Sequence, residues 1–167
     1  MACLNFVRKT WAKTIAKGGH DGTVLHSLVV NSARPGYVHT TLKVSAQHLN
    51  NHNTVHGGVL LSLTDTVTSL ALQSRGIVPP TGASVNISCE FVRPGGRDGD
   101  ELIGIGEVVQ LGRTLAYTRV NFHSPDGKLV AFGNHTKHMG ANKPTVNFSE
   151  DGELEIPLEE KHHHKKA

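Results

Sequence analysis

Long apolar runs, cysteines, aromatic rings and acids are all scarce in this chain, and each scarcity excludes something. No stretch approaches the roughly 18 uninterrupted apolar residues of a membrane-spanning helix, so no helical span is expected. Cysteine occurs only as Cys3 and Cys89, too unlike in setting to suggest a disulfide framework. A reducing, intracellular compartment is the simpler expectation. Aromatic residues make up 5%, and much of the net charge of +3 sits in Arg8–Lys17 and Lys161–Lys166. No dense basic face interleaved with rings results, and nucleic acid is not an expected partner. His48, His52 and His56 are spaced by four, but in an Asn-rich stretch that should not be helical. There is no His-Glu-x-x-His pattern and no cysteine cluster, so neither a metal nor a cofactor is expected beyond adventitious binding at His162-His163-His164.

What is present suits one domain with a real core. The first twenty residues hold Arg8, Lys9, Lys13 and Lys17 without an acid, and Leu4, Val7, Trp11 and Ile15 form one helical apolar stripe. Such a segment fits a helix packed on the domain, and equally an organelle-targeting presequence. The first reading is favoured because the helix runs into structured sequence without an evident processing site. Cytoplasm and mitochondrion both remain open.

A Gly-rich break at residues 18–22 leads to two predicted strands, Thr23–Ser32 and Tyr37–Ser45, turned by Arg34-Pro35-Gly36. Residues 46–55 read as a polar loop. From Gly58 to Ser74 apolar residues occupy most of a helix circumference, which predicts a buried helix ended by Gly76 and Pro79-Pro80. Ser84–Val92 alternates, with Val85, Ile87, Cys89 and Phe91 on one face and Ser84, Asn86, Ser88 and Glu90 on the other. Glu101–Gln110, Thr114–His123 and Lys128–Met139 complete the predicted strands. The expected class is α+β, a long central helix wrapped by a curved antiparallel sheet, whose uncovered edges imply self-association. The organisation expected is an amphipathic helix and linker over 1–22, the domain over 23–140, and a polar, poorly ordered tail over 141–167.

The chemistry concentrates at Asn50–Asp65. At His56-Gly57-Gly58 a loop becomes a helix, leaving backbone N–H groups without intrahelical partners at the positive end of the dipole. Gly57 has no side chain to keep an oxygen from its amide, so a carbonyl gaining negative charge can be held there, with Asn50 adding a side-chain donor. Asp65 is the single acid between Asp21 and Glu90 and lies in an otherwise apolar helix. A buried carboxylate is costly unless paired or at work, for instance in activating water or attacking directly. The plainer reading puts Asp65 on a polar stripe with Ser62 and Ser69. Gly57 and Asp65 are separated by ~12 Å along the axis at roughly 1.5 Å per residue, and His56 and Asp65 fall on opposite sides at roughly 100° per step. If both groups serve one reaction, they come from different subunits.

Asn50-x5-His56-Gly57-Gly58-x6-Asp65 resembles the active-site signature of hotdog-fold acyl-CoA thioesterases, the PaaI-like superfamily, and most resembles their eukaryotic branch. Ala83-Ser84-Val85, Gly112-Arg113-Thr114-Leu115-Ala116-Tyr117 and His135-Thr136-Lys137-His138 match it as well, over roughly residues 24–140. The resemblance implies a hotdog fold, a double-hotdog dimer and a tetramer of two such dimers. It implies that Gly57 N–H and Asn50 polarise the thioester carbonyl, that Asp65 of the opposite subunit acts on water positioned by Ser84, and that His56 orients the loop beside Gly58. Asn51-His52-Asn53 and the acidic, His-rich tail depart from the family pattern. For the phosphates of an acyl-CoA partner the candidate cations are Arg113, Lys137 and Arg93; each also reads as a solvent-facing charge. Two alternatives stand beside hydrolysis: a dehydratase or hydratase on the same fold, and a non-catalytic acyl-thioester-binding protein.

Overall fold

The apolar run after His56 folds as a 17-residue helix, and everything else is arranged around it. The computed structural model describes residues 1–158. In chain order the elements are α1 (Ala2–Ala16), α2 (Gly19–Val24), β1 (Leu28–Arg34), β2 (Tyr37–Lys43), α3 (Gly57–Gln73), β3 (Ala83–Phe91), β4 (Glu101–Leu111), β5 (Leu115–His123), β6 (Leu129–His138), β7 (Asn147–Phe148) and β8 (Glu155–Ile156). Six strands form one antiparallel sheet in the order β1-β2-β4-β5-β6-β3, with α3 packed across it. This is the expected α+β hotdog arrangement.

Two sheet glycines let α3 lie against the strands. A Cβ on Gly106 would stand 2.8 Å from the Val67 carbonyl oxygen, and one on Gly133 would stand 2.7 Å from Cγ2 of Thr64. Val59, Leu60, Leu63, Val67 and Leu70 are thereby buried with Val38, Leu42, Leu102, Val120 and Phe122. Helix α1 belongs to the same core through Cys3, Leu4, Val7 and Trp11, whose indole N–H donates to the Leu28 carbonyl at 3.0 Å.

Three expectations need correction. The strand predicted from Thr23 begins at Leu28, and the supposed linker carries α2. Gly18 and Gly19, at φ +74° and +68°, reverse the chain after α1, and Gly22 allows close return, since its Cβ would meet the Ile15 carbonyl oxygen at 2.7 Å. The tail expected to be poorly ordered from residue 141 is folded as far as described: Val146 and Phe148 are buried, Phe148 packs edge-on to Phe6, and Cys3 N–H donates to the Gly152 carbonyl at 2.9 Å. Gly76 opens the space for this segment, its φ of +79° placing it directly against Val146. The acidic and histidine-rich stretch from Glu159 lies outside the described residues.

Alternation in β3 is the third. Its register pairs Ser84 with Lys137, Asn86 with Thr136 and Ile87 with His135, so Val85 is a bulge. The extra residue moves Ser84 to the face shared by Ile87, Cys89 and Phe91, opposite to the face that simple alternation assigns it. β3 is also an edge: among the described residues it pairs only with β6, and Val85 and Phe91 are 61% and 59% exposed. No described helix is long and apolar enough to cross a membrane.

Candidate active site

The loop before α3 is built by side chains that bond to its own backbone. Asn50 Oδ1 accepts from the N–H groups of His52 at 2.8 Å and Thr54 at 3.3 Å, and Asn50 N–H donates to the Thr54 carbonyl at 2.8 Å. Asn51-His52-Asn53 is therefore the tip of a tight turn, with Asn53 at φ +55°. His48 is fully buried: its Nε2–H donates to the Val24 carbonyl at 2.6 Å and its Nδ1 accepts from Ser45 N–H at 3.0 Å. That histidine is a strut between α2 and the loop.

His56 is the N-cap of α3, and its Nδ1 accepts from Gly58 N–H at 2.8 Å. The cap consumes the Gly58 amide and leaves that of Gly57 without a partner among the described residues. Of the two glycines proposed from sequence, Gly57 thus keeps the free donor. The Phe91 ring lies beside it, 3.3 Å from where a Gly57 Cβ would stand. Asn50, Gly57, Phe91 and Arg93 line one cleft of about 370 Å³.

Asp65 lies in a different cleft, of about 220 Å³, with Asp21, Ser69, Thr81 and Lys137. The two clefts have no lining residue in common. Asp65 lies on the polar stripe with Ser69 that the plainer reading gives it: its side chain is 51% exposed, because this face of α3 is uncovered in a single chain. Its Oδ1 accepts from Ser69 Oγ at 3.3 Å and from Lys137 Nζ at 3.5 Å, and lies 3.7 Å from His135 Nδ1.

His135 is the site residue without an assigned role in the sequence reading. Its inward position on β6 follows from strand alternation, but its partner does not, since that depends on the Val85 bulge. The ring is 0% exposed, with Nδ1 2.8 Å from Thr68 Oγ1 and Nε2 2.9 Å from Ser84 Oγ. Thr68 directs its proton to the Thr64 carbonyl at 2.6 Å, so this network assigns Nδ1–H of His135 as donor to Thr68. Nε2 then accepts the Ser84 proton, which leaves the lone pairs of Ser84 Oγ able to accept from water. Burial, aided by the Lys137 charge and opposed by Asp65, holds the His135 imidazole down to about 4, so it is neutral at pH 7.

That depression has a consequence for stability. The unfolded chain takes a proton on His135 as pH falls through about 6.5, while the folded chain does not until about 4. Stability is therefore lost over that window, by about 3 kcal/mol, and not further below it. In denaturant titrations the stability advantage of wild type over His135→Gln should shrink by that amount between pH 6.5 and 4; parallel curves would contradict it.

The three proposed cations fall in three different places. Arg93 lines the Asn50–Gly57 cleft and donates from Nη1 to the Leu129 carbonyl at 3.2 Å. Arg113 is exposed in the β4–β5 turn and lines neither cleft. Lys137 is not solvent-facing: it is 5% exposed, and burial pushes its ammonium below the usual lysine range.

Residues 52–131 match the family model described as Thioesterase superfamily. The chain is 34% identical to human acyl-coenzyme A thioesterase 13 over 129 residues, 77% of this chain and 91% of that one. Zebra fish thioesterase superfamily member 2 superposes with a TM-score of 0.74 at 33% identity, covering 82% of this chain and 98% of the other. A Streptococcus pneumoniae thioesterase protein crystallised with coenzyme A superposes at 0.62 and 28% identity, covering 68% and 88%. The chain belongs to the thioesterase superfamily.

Proposed function

We propose that this protein hydrolyses acyl-CoA thioesters, fatty acyl-CoA among them, to the free acid and CoA, at a site that two protomers complete. The observation that carries the reading is the separation of the free Gly57 amide and Asn50 from Asp65 into clefts without a shared residue, with Ser84 joined to the Asp65 side through His135. Pairing across a two-fold axis brings one cleft to the other. The unpaired β3 edge, with Val85 and Phe91 exposed beside the uncovered face of α3, suits a homodimer, and pairing of two dimers gives the tetramer.

In that site the carbonyl oxygen accepts from Gly57 N–H and from Asn50 Nδ2, which stabilises the charge it gains on attack. Water donates a hydrogen bond to Ser84 Oγ of the partner subunit and loses its other proton to Asp65 of the partner subunit, as its oxygen bonds to the carbonyl carbon. Collapse of the tetrahedral intermediate breaks the C–S bond and releases CoA thiolate, which regains the proton from Asp65. His56 fixes the loop and His135 fixes Ser84. Arg93, at the mouth of the carbonyl cleft, and Arg113 from the second protomer supply charge for the CoA phosphates. Human acyl-coenzyme A thioesterase 13 and the CoA-containing neighbour support this substrate class. The free thiols Cys3 and Cys89 fit a reducing compartment, cytoplasm or mitochondrion.

The dehydratase or hydratase alternative needs a histidine free to move protons at the carbonyl loop, whereas His56 Nδ1 is committed to the helix cap. Thiol release from acyl-CoAs running from acetyl to palmitoyl, alongside hydration of enoyl-CoA, tests the assignment. CoA release without hydration is expected. No thiol release at any chain length would overturn it.

A further inference from the structure

The inference concerns Lys137 and rests on the reading of Asp65 as general base. The sequence suggested a phosphate-binding cation, yet the ammonium has no donor left for a phosphate. Its three N–H groups meet three acceptors: Ser69 Oγ at 2.7 Å, Thr81 Oγ1 at 3.1 Å and Asp65 Oδ1 at 3.5 Å. The side chain is 7% exposed, on the inward face of β6, reaching the flank of α3 that carries Asp65 and Ser69.

Every contact made to the Asp65 carboxylate goes to one oxygen. Lys137 Nζ, Ser69 Oγ and, more distantly, His135 Nδ1 all approach Oδ1. Ser69 is bonded to both ends, donating to Asp65 and accepting from Lys137, so ammonium, hydroxyl and carboxylate close a small ring. Oδ2 has no hydrogen-bond partner among the described residues, while the carboxylate is half exposed on the open side of the helix. The remaining charge in the neighbourhood is Asp21, which lines the same cleft from α2.

We infer that Lys137 is a positioning residue: with Ser69 it tethers Asp65 by Oδ1 and reserves Oδ2, in a fixed orientation, for the attacking water. The burial of an ammonium, costly by itself, is compensated by the carboxylate it holds. A carboxylate freed to rotate spends less time aimed at the water, and an unneutralised neighbour changes its charge environment. Both effects act on the chemical step and not on the binding of CoA.

The test is steady-state hydrolysis of one acyl-CoA by Lys137→Met and Ser69→Ala, with Asp65→Asn alongside and thermal midpoints for all. Methionine keeps most of the volume and removes the charge. Lys137→Met should lose roughly 30- to 100-fold in kcat with KM within about threefold. Ser69→Ala, on the half-exposed face of α3, should lose roughly 3- to 10-fold in kcat with unchanged KM, and it decides the matter if Lys137→Met fails to fold. A rise in KM at wild-type kcat in Lys137→Met, or wild-type kcat in Ser69→Ala, would overturn the tether. If Asp65→Asn itself keeps full activity, the general-base assignment fails instead, and the two failures are told apart.

Discussion

Asp65→Asn should lower kcat for thioester hydrolysis by about 10³-fold while leaving KM within a few-fold, which places the loss in the chemical step. Asparagine matches aspartate in shape and can still meet Ser69, but it cannot take a proton from water. The loss is read per folded protein, because the substitution also takes the carboxylate from Lys137, whose side chain is 7% exposed, and a buried ammonium left without its partner costs about 3 kcal/mol. Gly57 and Asn50 are untouched by the substitution and still polarise the carbonyl, so the residual rate reports what that half-site contributes alone. Stopped or steady-state thiol release measures it directly. A kcat within tenfold of wild type would remove Asp65 from the chemistry.

Gly106→Val is expected to destabilise the fold by roughly 3 kcal/mol or more, a large share of the 5–15 kcal/mol of a typical domain. A Cβ at this position would lie 2.8 Å from the Val67 carbonyl oxygen and 2.9 Å from Val67 Cγ1, with Val38 Cγ2 at 3.1 Å. The first of these is helix backbone, so relief requires α3 to lift from the sheet, and lifting it uncovers Leu63, Val67 and Leu70. The same displacement moves Asp65, two residues before Val67 in α3, so the folded fraction should also hydrolyse more slowly. Chemical denaturation followed by circular dichroism reads the first effect; a loss under about 1 kcal/mol would mean the helix sits less tightly than this spacing requires.

The parts of this fold written into local pattern were legible from the residues. The apolar run that predicts a helix over 58–74 is the observed Gly57–Gln73, and the long strands of the second half fall where alternation and turn residues put them. What failed to show were features fixed by contacts distant in sequence. The Val85 bulge is a matter of pairing with β6, and it alone decides that Ser84 faces His135. The folding of residues 141–158 depends on a gap left at Gly76 and on hydrogen bonds from α1, neither visible in a segment whose own composition is polar. Lys137 reads from sequence as a cation for phosphates or an outward charge, because period two assigns a face but not what lies beneath it; Ser69 and Thr81 are the acceptors that draw it in. Asp65 reads from sequence either as a buried group or as part of a polar stripe with Ser62 and Ser69; the stripe is what forms, and it is open because the face around Leu61 has no cover within one chain. Helix geometry alone, by contrast, separated Gly57 from Asp65.

The shared site is the claim on which the rest depends, and mixing two inactive proteins tests it. Asn50→Ala protomers carry an intact Asp65, and Asp65→Ala protomers carry an intact Asn50 and Gly57. In a mixed dimer one site draws both intact halves and the other draws both damaged ones. Random reassortment of equal amounts, by co-expression or joint refolding, should therefore restore about a quarter of wild-type activity per total protein. Mixed dimers purified with two tags that show no recovery over either parent would contradict a site shared between protomers.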